Sequence, residues 1–167
     1  MTQDEFCALL QRFTAAAEAG DGEAFAACFT PDGVYHDYIY GDHTGRADIA
    51  HMMSGLFHRD AGPDYRWEMF DPVCNGNLAY AWSLSSFTSR VPDFAGKFVV
   101  IDGMSRFELR DGLISDYRES VNGGVAMAQL GVAAPRIEKV LGRWARELRE
   151  RPETQAYLAR PKQNSAA

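Results

Sequence analysis

The 167-residue chain lacks any apolar run approaching the roughly 18 residues of a membrane span, which excludes a transmembrane helix and predicts no membrane partner. Positive charge is short as well, with 17 Lys and Arg against 23 Asp and Glu and a net charge of −6. That balance argues against a nucleic-acid partner, because a phosphate backbone asks for a basic surface. Cysteine is scarce: Cys7, Cys28 and Cys74 follow no metal-ligand spacing. With no charged, apolar and small-residue signal at the N-terminus, they read as reduced thiols and predict a cytoplasmic location. The four histidines include no pair with the helical spacing and carboxylate company of a zinc site, so no metal and no cofactor is expected.

What is present is an ordinary globular composition, 46% hydrophobic and 24% charged, in a length suited to one domain with a sizeable core. "QDEFCALLQRFTAAAEAG" sets Phe6, Leu9, Leu10 and Phe13 at helical spacing and stops at Gly20. Asp21 is a plausible N-cap for a short second helix, "DGEAFAACF". After a "TPDG" turn, Val34 to Tyr40 reads as a strand. "GRADIAHMMSGLF" is helical, with Ile49, Met52, Met53, Leu56 and Phe57 on one face and His51 and His58 solvated away from it.

From Asp64 the period falls to two, and four strands follow, joined at "NGN", at a loop "VPDFAG" and at "RDG". Such turns predict an antiparallel meander. A Gly-rich exit, "NGGVAMAQLG", leads to an amphipathic helix from about Arg136, carrying Ile137, Val140, Leu141, Trp144 and Leu148 on one side. Arg136 to the end holds eight Lys or Arg against four Asp or Glu, a basic segment that would dock on the acidic remainder or on a second subunit. The expected organisation is a body over 1–132, the helix over 133–152 and a flexible tail over 153–167. The fold class is α+β: three helices of the N-terminal half cover the concave face of a strongly curved, mostly antiparallel sheet, a cone whose apolar interior suits a hydrophobic small molecule.

Strand parity groups Asp37 with Tyr35 and Ile39, and sets His36 and Tyr38 on the other face. It also groups Glu119 with Tyr117 and Val121. Asp37 stands in the middle of an apolar, aromatic run, where a carboxylate needs a reason. Either it is a structural acceptor for nearby hydroxyls and amides, or it is a desolvated base. Glu119 is either an acid facing the same interior or a surface partner of Arg118 or Arg106. His43, after the first strand, is a candidate acid or lid residue at the mouth. Phe13, Met52 and Trp82 read first as core; some of that set, with Tyr35 and Val121, are also expected to line the pocket wall, Phe13 and Trp82 foremost.

Without a gap, "LLQRFTAAAEAGDGEAFAACFTPDGVYHD" resembles the opening of the bacterial Δ5-3-ketosteroid isomerases and of the SnoaL-like group within the nuclear-transport-factor-2-like superfamily. "TGRADI" is similar to the start of that fold's third helix, and "RFELRDGLISDYRE" to its final hairpin. The resemblance covers roughly Glu5 to Asn122 and leaves the Arg136 helix outside. It implies the cone, a pocket and a homodimer paired through the open sheet face, with outward aromatics such as Tyr38 or Trp67 and the Arg136 helix at the interface. It places Asp37 where the isomerases keep their general base and Phe13 where they keep a hydroxyl donor. Asp102 is its candidate for their protonated Asp. In the epoxide hydrolases of this fold, Tyr117 and Glu119 match the inward aromatic and the catalytic acid of the last strand, while "AWSLSSF" lacks their Arg-x-Asp pair. The implied reaction is acid–base catalysis of isomerase, cyclase or dehydratase type on a carbonyl compound; the alternative is a non-catalytic binder or a dimeric assembly module.

Overall fold

Thr2 and Glu5 start the first helix reciprocally: the Glu5 N–H donates to Thr2 Oγ1 at 3.3 Å and the Thr2 N–H to Glu5 Oε2 at 2.7 Å. Helix α1 (Gln3–Ala19) ends at Gly20 with φ 66°, a left-handed conformation that glycine adopts without steric cost. A Cβ there would also meet the His58 ring at 2.5 Å. His58 is therefore packed over this turn and half-buried, not solvated as its spacing suggests. Asp21 caps α2 (Gly22–Ala27) by accepting from the Ala24 N–H at 2.9 Å.

This computed structural model describes residues 1–37 and 39–161. Tyr38, expected on an outer face, and the tail from Lys162 lie outside the described residues. The expected third helix is α3 (Arg46–His51), which continues through a π-helical segment (Met52–Phe57) into α4 (His58–Ala61). Ile49, Met52 and Met53 are buried from it as the pattern predicts. The π segment is invisible to a 3.6-residue period, because each of its turns carries an extra residue.

Six strands form a curved, unclosed sheet: β1 (Phe29–Asp37), β2 (Gly41–Thr44), β3 (Arg66–Asn75), β4 (Leu78–Thr88), β5 (Phe98–Arg110) and β6 (Leu113–Val121). Their order is β2-β1-β6-β5-β4-β3, antiparallel throughout except for the parallel pair β1 and β6. The meander β3 to β6 matches the expectation. The β5–β6 hairpin turns through Asp111 and Gly112 at φ 53° and 79°, the primed-turn geometry that "RDG" signals. Two features differ. "TPDG" lies within β1, across a register irregularity between Phe29 and Val34, and "GDHT" forms the short β2. Four polar residues give too little alternation to be read as a strand.

The core fills the space between the helices and the inner sheet face, and it is aromatic. Phe13 packs against Phe25, Phe29, Trp67, Phe107 and Tyr117 with ring centroids 4.6–6.0 Å apart. Trp67, expected at an outer interface, is 4% exposed in this cluster. Its parity follows from β3, and its N–H donates to Glu18 Oε1 at 2.8 Å, tying the strand to α1. On the opposite face of β1, His36 stands between Asp42 at 2.7 Å and Asp116 at 2.9 Å, pinning β2 and β6 to β1. The Asp116 hydrogen bond raises its pKa above the ordinary histidine range, with Asp42 adding to it against the cost of burial.

The Gly-rich exit is itself helical: α5 (Gly123–Gln129) is capped by Asn122. The first compact unit runs Met1–Gly131 and the second begins at Val132. The second holds α6 (Ala134–Glu150), the expected amphipathic helix, and α7 (Pro152–Leu158), which occupies much of the stretch read as a tail. Among the described residues no helix is long and apolar enough to cross a membrane, and no group of His, Cys, Asp and Glu is placed to hold a metal ion.

Candidate functional site

Cross-strand register decides which side chains share the inner face. Tyr35 on β1 is level with Tyr117 on β6, which is level with Phe107 on β5 and, through it, Ala79 on β4. One row on, Glu119 faces Ser105 and Ala81, and the next row sets Val121 beside Gly103 and Ser83. Side chains two apart on a strand share a face, so Tyr35 carries Asp37 inward with it. Across the β1–β2 hairpin, His43 pairs with Tyr35 and is a diagonal neighbour of Asp37. The sheet therefore brings Asp37, Glu119, Tyr117, Tyr35 and His43 to one end of its concave side.

Asp37 is the last residue of β1 and is half-buried. Its Oδ1 accepts from the Ile39 N–H at 2.6 Å and the Tyr40 N–H at 2.7 Å, while Oδ2 accepts no hydrogen bond among the described residues. Desolvation raises its pKa, opposed by the two amide bonds and by the nearby His43. Both readings of this residue thus hold at once: one oxygen is structural and the other is not engaged.

Glu119 is pushed up to about 7, first by burial and then by the like charge of Asp37, against the Tyr117 hydrogen bond. Tyr117 is fully buried, and its hydroxyl bonds Glu119 Oε2 at 3.1 Å and Ser105 Oγ at 3.0 Å. A phenol spent in this way orients Glu119 and holds its own place. Ser105, which the sequence reading missed, stands inward by β5 parity opposite Glu119. Tyr65 was also missed; it is buried near both carboxylates, whose charges raise its pKa after burial, and Ser85 hydrogen-bonds it. Tyr65 opens the stretch "YRWEMF" two residues ahead of Trp67 and is buried with it, so the expectation of an outward Trp67 hides it from the sequence reading.

His43 is 8% exposed, and its Nδ1 lies 3.0 Å from Asp48 Oδ1. Asp48 also accepts from the Thr44 N–H at 2.9 Å, so the imidazole is clamped to the start of α3 and does not hang at a mouth.

Three expected site residues stand elsewhere. Asp102 is level with Leu84 on the outer face and exposed, because Ile101, Gly103 and Ser105 take the inward positions of β5. Trp82 is 38% exposed, with Met104 and Phe70 beside it. The inward positions of β4 are the small Ala79, Ala81 and Ser83, which leave room for the aromatic cluster. Phe13 is 0% exposed in the centre of that cluster and acts as core. Met52 is likewise buried, and Val121 stands against Gly103, where a Cβ would meet it at 2.7 Å.

Residues 10–117 match the family model for the SnoaL-like domain. The chain belongs to the SnoaL-like family. No curated protein matches the sequence. The fold of this SnoaL-like protein is shared with a protein of ketosteroid isomerase-like fold from Catenulispora acidiphila DSM 44928, solved with trimethylamine, at a TM-score of 0.68 and 16% identity over 76% of this chain and 95% of that one. A candidate polyketide cyclase from Xanthomonas campestris pv. campestris superposes with a TM-score of 0.63 and 23% identity, over 77% of this chain and 98% of its own. An LEH-like epoxide hydrolase from M. tuberculosis gives 0.61 and 17%, over 76% and 90%. At these identities the likeness is one of fold. The family match bears out the SnoaL-like resemblance of the opening stretch.

Proposed function

We propose that this SnoaL-like protein catalyses proton transfer on a hydrophobic carbonyl compound, with Asp37 as general base and Glu119 as the group holding the complementary proton. The observation that supports it most is a pair of inward carboxyl groups, both raised above the usual range, each fixed by its own partners. Asp37 is oriented by the Ile39 and Tyr40 amides through Oδ1, which leaves Oδ2 for a C–H proton beside the carbonyl. Glu119 is oriented by Tyr117 and keeps a proton near neutral pH because burial disfavours its charge and the like charge of Asp37 adds to that. Two interacting carboxyls of this kind hold about one proton between them, one acting as base and the other as acid. Returning the proton to another carbon gives isomerisation; expelling a hydroxyl gives dehydration; addition of the enolate to a second carbonyl closes a ring. The cyclase and epoxide-hydrolase names among the solved structures are in keeping with small-molecule chemistry in this fold.

The test needs no known product. The protein is incubated in D2O with a panel of hydrophobic ketones and 1,3-diketones, and deuterium at the carbon beside the carbonyl is read by mass spectrometry. Asp37→Asn should slow exchange at least about a hundredfold, within the range of general-base contributions. Exchange that survives in this variant removes Asp37 as the base. Saturable binding with no exchange for any compound favours the binder, which the hydroxyl-free Phe13 would suit.

The proposal includes pairing of two copies. The outer faces of β4 and β5 expose Trp82, Met104, Val100 and Phe98, apolar side chains interrupted by Asp102, on a face that a second copy would cover. A monomer by size-exclusion chromatography at micromolar concentration would remove this part.

A further inference from the structure

Proton abstraction beside a carbonyl moves an electron pair onto the carbonyl oxygen, and an active site gains most from a donor aimed at that oxygen. Phe13, where the resemblance implies a hydroxyl donor, has none and lies in the core, and Asp102 faces outward. The remaining phenols are mostly engaged. Tyr117 is held between Ser105 and Glu119, Tyr65 is hydrogen-bonded by Ser85, and Tyr40 donates to Asp60 at 2.7 Å. Tyr35 differs. It is 4% exposed, its ring stacks on Tyr117 at 4.7 Å and 27°, and its hydroxyl makes no hydrogen bond among the described residues. A hydroxyl on so well buried a ring, with no hydrogen bond among the described residues, is free to donate to a ligand oxygen.

We infer that the Tyr35 hydroxyl is the donor to the substrate's carbonyl oxygen, a catalytic role that rests on the proton-transfer reading of the site. Tyr35 precedes Asp37 by two residues on the same face of β1, so donor and base are set side by side by one strand. The ring is held by Phe25, Phe29 and Tyr117, which fixes where the hydroxyl points. The step balances without a cofactor. The substrate C–H bond breaks, a bond from that proton to Asp37 Oδ2 forms, and the electron pair passes through carbon to oxygen. Tyr35 keeps its own proton and hydrogen-bonds the enolate oxygen; the proton then returns from Asp37 to carbon. A ligand class follows: planar or near-planar hydrophobic molecules with an oxygen that becomes enolic beside the reacting carbon.

The experiment compares 2-naphthol, whose oxygen stands for an enol, with naphthalene, which has the same ring and no oxygen. Binding of both is measured by NMR titration to the wild type and to Tyr35→Phe, which keeps the stacked ring. The wild type should prefer 2-naphthol, and Tyr35→Phe should lose about tenfold or more of that affinity while naphthalene binding stays unchanged, as loss of one buried donor implies. A variant that merely loosened the fold would weaken both compounds alike. An unchanged preference in Tyr35→Phe, or a wild type that does not bind 2-naphthol or does not prefer it, overturns the role. In the D2O assay, exchange abolished by Asp37→Asn but untouched by Tyr35→Phe would sink this inference and leave the general base standing.

Discussion

Replacing Phe13 by alanine should cost the fold about 4 kcal/mol, the range for deleting a fully buried aromatic ring. Phe13 has no exposed surface and touches five other rings, so no side chain is positioned to collapse into the space it would vacate. Part of the loss is transfer of the ring to water, and part is the edge and stacked geometry that each neighbour gives up. Urea denaturation at fixed slope measures it directly. A loss below about 1.5 kcal/mol would mean that the ring already borders open space, returning Phe13 to the pocket wall where the sequence reading put it.

Glu119→Gln should have the opposite sign and a marked dependence on pH. The folded state holds the Glu119 carboxyl at about 7 against an ordinary 4.5. A raised value means that the wild type has its full stability below about 4.5 and loses it progressively as pH rises through about 7. The shift corresponds to about 3 kcal/mol at 1.36 kcal/mol per unit. Glutamine keeps an oxygen for the Tyr117 hydroxyl and never ionises. The variant should therefore match the wild type near pH 4 and exceed it at pH 8 by about 3 kcal/mol, or about 6–12 °C in melting temperature for a chain of this size. A difference independent of pH would show that Glu119 does not titrate in isolation from water. Catalysis by the pair would be lost in the same variant, so stability and activity would move in opposite directions.

The sequence carried the fold further than the site. Helix caps at Thr2 and Asp21 and the "RDG" turn are local chemistry, and local chemistry is legible. Parity on β1 and β6 was legible too: Tyr35 and Asp37 flank His36, and Tyr117 and Glu119 alternate with Asp116, Arg118 and Ser120. It failed on β4, where the rule that large aromatics face inward picks Trp82, while the crowded core required Ala81 and Ser83 there. The resemblance's candidate Asp102 misses the inner face by one position, the smallest slip that exchanges the faces of a strand, and leaves Gly103 inside. Hydroxyl partners such as Ser105 for Tyr117 depend on register across separate strands, which no single stretch encodes. That Tyr35 makes no hydrogen bond among the described residues is legible only once Tyr40, Tyr65 and Tyr117 have been placed.

The parallel pairing of β1 with β6 has a consequence for how the protein is made. Asp37 leaves the ribosome early, yet the strand that sets Glu119 and Tyr117 beside it is the last of the sheet, some eighty residues later. Until that strand arrives, β1 has only the four-residue β2 for a strand neighbour, and its aromatic face has the helices for cover but not Tyr117. Closure across so long a loop is entropically slow, and the waiting intermediate exposes an unpaired apolar edge. A nascent chain or proteolytic fragment ending before β6 would hold the base without the acid, and Tyr35 would keep Phe25 and Phe29 but lack the Tyr117 ring it stacks on. The chemistry and the final docking event of folding are therefore the same event, and a partly folded chain has no partial site.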